Sequence, residues 1–119
     1  MHKVNLLEKF SLVTDHWNPR IVGELNGQHV KLVKFSGPFT WHHHEYEDEF
    51  FYVVKGSFVM ELTDTSIELN TGDFLIVPKG VEHRPNAKEE VWVMLFEPAG
   101  TLNTGNTENA FTKNNLSKI

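Results

Sequence analysis

The chain has 119 residues, 39 % of them hydrophobic and 23 % charged, enough for one packed core and too few for two. Its formal charge of −5 argues against nucleic-acid binding, which needs a basic face, and the lack of cysteine excludes disulfides, thiolate ligands and a cysteine nucleophile. No stretch is long and apolar enough to span a bilayer and the N-terminus lacks a signal peptide's hydrophobic region, so no membrane partner and a cytoplasmic location are expected.

Residues 3–13 carry apolar side chains at 4, 6, 7, 10, 12 and 13, a pattern that suits a short helix or an extended arm equally. Residues 17–25 read as a strand, and Asn26-Gly27 then supplies the strongest short hairpin signal. In residues 29–35, Val30, Leu32 and Lys34 alternate against Lys31, Val33 and Phe35, and Gly37-Pro38 ends the run. Residues 50–54 form a continuous aromatic and β-branched run, as expected of a strand buried on both faces. After the Lys55-Gly56 turn, Phe58, Met60 and Leu62 share one face. Turns at Asp64-Thr65 and at residues 70–73 bracket a short strand at 67–69. Residues 74–77 end at Pro78, which has no N–H for a central ladder. Residues 91–96 are the last clear strand. Phe51, Val53, Phe58, Met60, Phe74, Ile76, Trp92, Met94 and Phe96 are expected to form core and pocket wall together. Residues 99–119 are rich in Asn, Thr and Gly; they would wrap the body, join a neighbouring subunit or stay disordered. Short strands at this rhythm predict an all-β barrel or sandwich.

The chemistry concentrates in residues 41–49, Trp-His-His-His-Glu-Tyr-Glu-Asp-Glu, and in residues 78–83, Pro-Lys-Gly-Val-Glu-His. On an extended chain His42 and His44 share a face and His43 turns away. Glu49 follows after a turn-length gap, and His83 supplies a third imidazole. Three imidazoles and a carboxylate suit one divalent transition ion such as manganese, iron, nickel or zinc. Glu45, Glu47 and Asp48 read as a solvated turn. Arg84 and Lys55 would serve an anionic ligand or a surface ion pair, and His16 and His29 read as structural or exposed.

The same residues carry a resemblance. His42-x-His44-x4-Glu49-x6-Gly56, opened by Gly37, resembles the first cupin motif, and Gly72-x5-Pro78-x-Gly80-x2-His83, closing on Asn86, resembles the second. Gly37 and Asn86 each sit one residue off the usual spacing; neither position binds metal in the family. The resemblance implies a double-stranded β-helix, or jelly-roll, barrel. Residues 1–36 would supply an N-terminal arm and hairpin, 37–98 the cupin core and 99–119 a polar tail of a single domain. It also implies His42, His44, Glu49 and His83 as the metal set, and a homodimer, for which the surplus N-terminal strand is the candidate pairing edge.

Four protein ligands on an octahedral ion would leave two positions for water or a small-molecule ligand. The leading expectation is therefore a metal-dependent enzyme on a small polar substrate, a sugar-like isomerase being one concrete version. The alternatives are an Fe(II)-dependent dioxygenase and a non-catalytic small-molecule binding or sensing protein.

Overall fold

Asn5 opens the first element, its side chain accepting the Glu8 N–H at 3.0 Å, and the short helix α1 follows at Leu6–Phe10. The computed structural model describes residues 1–119. Seven strands follow: β1 (Arg20–Leu25), β2 (Gln28–Pro38), β3 (Glu49–Lys55), β4 (Ser57–Leu62), β5 (Ser66–Asn70), β6 (Phe74–Val77) and β7 (His83–Pro98). All pair antiparallel, in the order β1-β2-β7-β3-β6, with β4 between β5 and β7. The expected all-β jelly-roll barrel is what the chain forms.

Asn26 and Gly27 both take positive φ, 51° and 78°, the requirement of the tight turn that joins β1 to β2. The expected strand from residue 17 starts only at Arg20. Trp17 instead turns in the left-handed region at φ 59°, held by its stacking on Phe35 and Phe39 at 4.4 and 4.6 Å. Gly56 turns β3 into β4 at φ 101°, where a Cβ would lie 3.3 Å from the Glu90 carbonyl oxygen.

β7 is far longer than the expected 91–96. Its first residues pair with β4, His83 opposite Leu62 and Pro85 opposite Met60, and its later ones with β2 and β3. The register shifts between Phe35 and Gly37 and between Val53 and Lys55 fall where β7 passes from one wall to the other. At the first the extra residues are on β7, 88–90 against Ser36, and at the second on β3, at Val54. Such bulges bend the strands that carry them. The sequence hid the first half because Arg84, Lys88, Glu89 and Glu90 break the apolar alternation and Pro85 reads as a strand breaker.

The core is a single cluster that includes Trp17, Val33, Phe35, Phe51, Val53 and Leu95. Two sequence expectations need correction. Residues 50–54 alternate between inside and outside, with Phe50 and Tyr52 on the outer face. Of the expected core set, Phe74 and Ile76 are 61 % and 52 % exposed, and Trp92, Met94 and Phe96 are only half-buried. The inward residues of β7 are the odd ones (Val91, Val93, Leu95), so the even ones belong to the other face. Phe50 and Phe74 stack there at 5.1 Å.

Helix α1 covers part of that outer face. Phe10 is fully buried and stacks on Trp92 with centroids 5.0 Å apart. Phe10→Ala should therefore lower unfolding free energy by about 3–5 kcal/mol in urea titration. A loss under about 1 kcal/mol would show that the helix contributes little to the folded barrel.

Candidate metal centre

Two elements carry the first two histidines and the third to one point. His42 bridges His83 in antiparallel fashion, its N–H donating to the His83 carbonyl at 3.1 Å and its carbonyl accepting the His83 N–H at 2.9 Å. The segment lies outside the seven strands, yet the alternation of an extended chain holds. His42 and His44 are buried, while His43 turns outward to place Nδ1 3.0 Å from Glu82 Oε2. Glu49 opens β3 and His83 opens β7, so two strand beginnings aim the remaining groups inward. All four side chains are buried, and one ligand atom from each lies within 4.8 Å of the others.

The backbone sets two of the ring orientations. His42 Nδ1 donates to the Thr40 carbonyl at 2.9 Å and His83 Nδ1 to the Val81 carbonyl at 2.8 Å. A carbonyl only accepts, so in the neutral rings the proton sits on Nδ1 and Nε2 keeps its lone pair. His83 Nε2 then faces Glu49 Oε1 at 3.5 Å, lone pair against lone pair, with His44 Nε2 3.2 Å from the same oxygen. His44 Nε2, His83 Nε2 and Glu49 Oε1 are buried without a well-aligned hydrogen bond. Such a cluster calls for a positive centre among its atoms, and the donor set fits a divalent ion.

The electrostatics agree. Burial lowers the His42 pKa from 6.5 to about 4, and the proximity of His83 adds to it. For His44 burial also disfavours the cation, but the Glu49 carboxylate outweighs it and the pKa rises. Glu49 is opposed by burial, yet the nitrogens of His44 and His83 hold its pKa well below the usual carboxylate range.

Sequence reasoning missed the neighbours of this cluster. Glu97 is buried in the same interior, one step beyond the Phe50–Phe96 pair in the register that links β7 to β3. Its Oε2 lies 2.6 Å from Lys31 Nζ, which is equally buried. Burial and the Glu49 charge push the Glu97 carboxyl well above its ordinary range despite that ammonium. The signal was present: Lys31 alternates in phase with Val33 and Phe35, and Glu97 with Val93 and Leu95. Beside the centre is a cavity of about 30 Å³, lined by Trp17, Phe35, Phe39, His42, Phe51 and Asn103 among others. That holds one or two waters at most.

The remaining charged residues take their structural roles. Asp48 Oδ1 accepts the Lys79 N–H at 2.9 Å. Arg84 Nε donates to Glu61 at 2.6 Å while its guanidinium lies over Trp41, and Lys55 lies over Trp92.

A family model described as the cupin domain matches residues 29–97. An uncharacterized Bacillus subtilis protein, YdbB, is 38 % identical over 64 residues, 53 % of this chain and 57 % of that protein. A Bacillus subtilis quercetin 2,3-dioxygenase is 45 % identical over 62 residues, 49 % of this chain and 18 % of the enzyme. The chain thus spans under two thirds of either relative. A crystal structure of a cupin-2 domain protein from Shewanella frigidimarina superposes with a TM-score of 0.79 at 45 % identity, covering 80 % of this chain and 93 % of that one.

The lowered His42 pKa has a direct test. The neutral ring's contribution to folding is whole above 6.5 and is lost as the pH falls through about 4. In the metal-free protein the His42 ring carbons should therefore titrate near pH 4 by NMR, and His44 above its ordinary 6.5. A His42 midpoint at 6 or higher would contradict the buried, Nδ1-protonated ring.

Proposed function

The chain belongs to the cupin domain family, and we propose that it is a metal-dependent enzyme whose His42, His44, Glu49 and His83 hold one divalent transition ion for a small ligand. The observation that supports this most is the convergence of four buried ligand atoms within 4.8 Å, three of them lacking any aligned hydrogen bond. Unpaired buried polar atoms cost free energy that a folded protein rarely leaves uncompensated. A bound ion of this class supplies Lewis-acid polarisation of an oxygen ligand, and iron adds redox chemistry with dioxygen.

The chain's own residues do the rest. Thr40 and Val81 carbonyls fix the tautomers of His42 and His83 and aim their Nε2 atoms inward. Burial and the Glu49 charge favour the protonated form of Glu97, and Lys31 keeps that acidic pair from being unopposed in the interior.

The cavity wall bears on the ligand class. Trp17 Nε1 is committed to the Ser36 carbonyl at 3.0 Å. Asn103 is engaged by its own loop, donating to the Phe111 carbonyl and accepting the Lys113 N–H, both at 2.9 Å. The other walls are aromatic or aliphatic, Phe35, Phe39, Phe51 and Leu95 among them. A sugar's hydroxyls would go unpaired there, at about 1–3 kcal/mol each. At about 30 Å³ the cavity would have to widen for any organic ligand, and its apolar side chains would then face an apolar body better than a hydroxylated one. That favours the dioxygenase reading over the sugar-isomerase one, in keeping with the similarity to a quercetin 2,3-dioxygenase.

Protein purified without chelators or a metal-affinity tag should carry about one equivalent of metal, lost in His44→Ala and kept in His43→Ala. Metal at about 100 times its Kd should raise unfolding free energy by ~2.7 kcal/mol. The Fe(II)-loaded protein should consume oxygen with an aromatic hydroxy-ketone and not with an aldose. Ligand-linked stabilisation without oxygen uptake would favour the binding-protein alternative, and full metal content in His44→Ala would remove the centre altogether.

A further inference from the structure

The histidine-bearing residues 39–48 lie outside every strand, so no continuous ladder holds their backbone. One side is tied to the second motif. Besides the His42–His83 bridge, Gly80 N–H donates to the His44 carbonyl at 2.7 Å and Phe39 N–H to the Pro85 carbonyl at 2.9 Å. The N–H and C=O of His43 face the other way, and both meet Asn106. His43 N–H donates to Asn106 Oδ1 at 2.9 Å, and Asn106 N–H donates to the His43 carbonyl at 3.0 Å.

One residue thus supplies, with a side-chain oxygen and a main-chain N–H, the pair of bonds that a neighbouring strand makes to a paired residue. Gly105 is what lets it come so close. A Cβ at that position would lie 2.2 Å from the His43 carbonyl oxygen and 3.1 Å from His42 Cδ2. The turn is braced from within, by Gly105 N–H to the Leu102 carbonyl at 2.9 Å and Thr104 Oγ1 to the Thr107 carbonyl at 2.7 Å. Farther on, Asn109 Nδ2 donates to Thr40 Oγ1 at 3.2 Å.

We infer that Asn106, admitted by Gly105, is a positioning residue for the metal centre. It clamps the two peptide planes that join His43 to His42 and to His44. Rotation of either plane would re-aim the Cα–Cβ bond of a ligand, and ligand sets tolerate only about 0.5 Å of misplacement. The His43 ring plays no part in the clamp; its backbone does. This inference rests on the metal reading above, and the test separates the two.

The probe is Co(II), titrated into metal-free protein and followed by visible absorption, with thermal melting of the metal-free forms alongside. Asn106→Ala should weaken Co(II) binding roughly ten-fold or more and alter the absorption bands, while its metal-free melting temperature moves by less than about 4 °C. Asn106→Asp keeps the accepting oxygen and should restore affinity and spectrum. Gly105→Ala should weaken binding further. Wild-type affinity and spectrum in Asn106→Ala, with binding lost in His44→Ala, would overturn the clamp and leave the metal centre standing. A metal-free melting temperature that falls in Asn106→Ala and stays low in Asn106→Asp would also overturn it, reducing Asn106 to a general structural role. No Co(II) binding by the wild type, or undiminished binding by His44→Ala, would instead overturn the metal reading itself.

Discussion

An apolar barrel interior that encloses five ionisable side chains and the ammonium of Lys31 must compensate each of them, because desolvated charge is the most expensive thing a fold can bury. Lys31 answers Glu97 at 2.6 Å. His44 answers Glu49 at 3.2 Å, and the carbonyls of Thr40 and Val81 answer one nitrogen each of His42 and His83. Three atoms that stay unanswered meet at one place, the inward atoms of His44, His83 and Glu49. Glu97 Oε1 is the nearest further orphan on the same interior. Asp15 Oδ1 and His29 Nδ1 lack a hydrogen bond too, but singly; only at the candidate centre do three such atoms converge.

Strand β7 makes this arrangement possible. Its inward residues are odd-numbered from His83 to Ala87 and again from Val91 to Glu97, on either side of the exposed residues 88–90. A single parity therefore delivers a candidate ligand at one end and the buried carboxyl at the other. β7 itself bulges at residues 88–90, all exposed, against Ser36 of β2, and β3 bulges at Val54. The two extra residues on β7 are an even number, so its inward parity is the same on both sides of the bulge. The even residues face outward, which is why Trp92 is free to dock Phe10 and why Met94 and Phe96 are not core.

The polar tail completes the other side of the site. Of its three expected fates, residues 99–119 take the first and wrap the barrel. Phe111 packs 5.1 Å from Phe39, and Ile119 N–H returns to the Ile21 carbonyl at 3.0 Å. Just ahead of Phe111, at Asn106 and Asn109, lie the contacts to the histidine segment, so a stretch with no chemical motif of its own borders both the cavity and the ligand backbone.

By itself the sequence determined the strands, most turns and the four converging side chains. Period-two alternation and turn chemistry are local properties, and the ligand spacing is written in two short segments. His42 and His44 share a side even though their segment forms no strand, because an extended backbone alternates with or without a ladder. Lys31 and Glu97 were legible in that same alternation and were passed over. Only the tertiary structure decided that the polar first half of β7 is a strand, that Phe74 and Ile76 face outward, and that the cavity beside His42 is walled by aromatic rings. It also decided that Asn106 meets His43. Each of these depends on which distant residues close upon one another, and loop closure between segments tens of residues apart leaves no trace in local pattern.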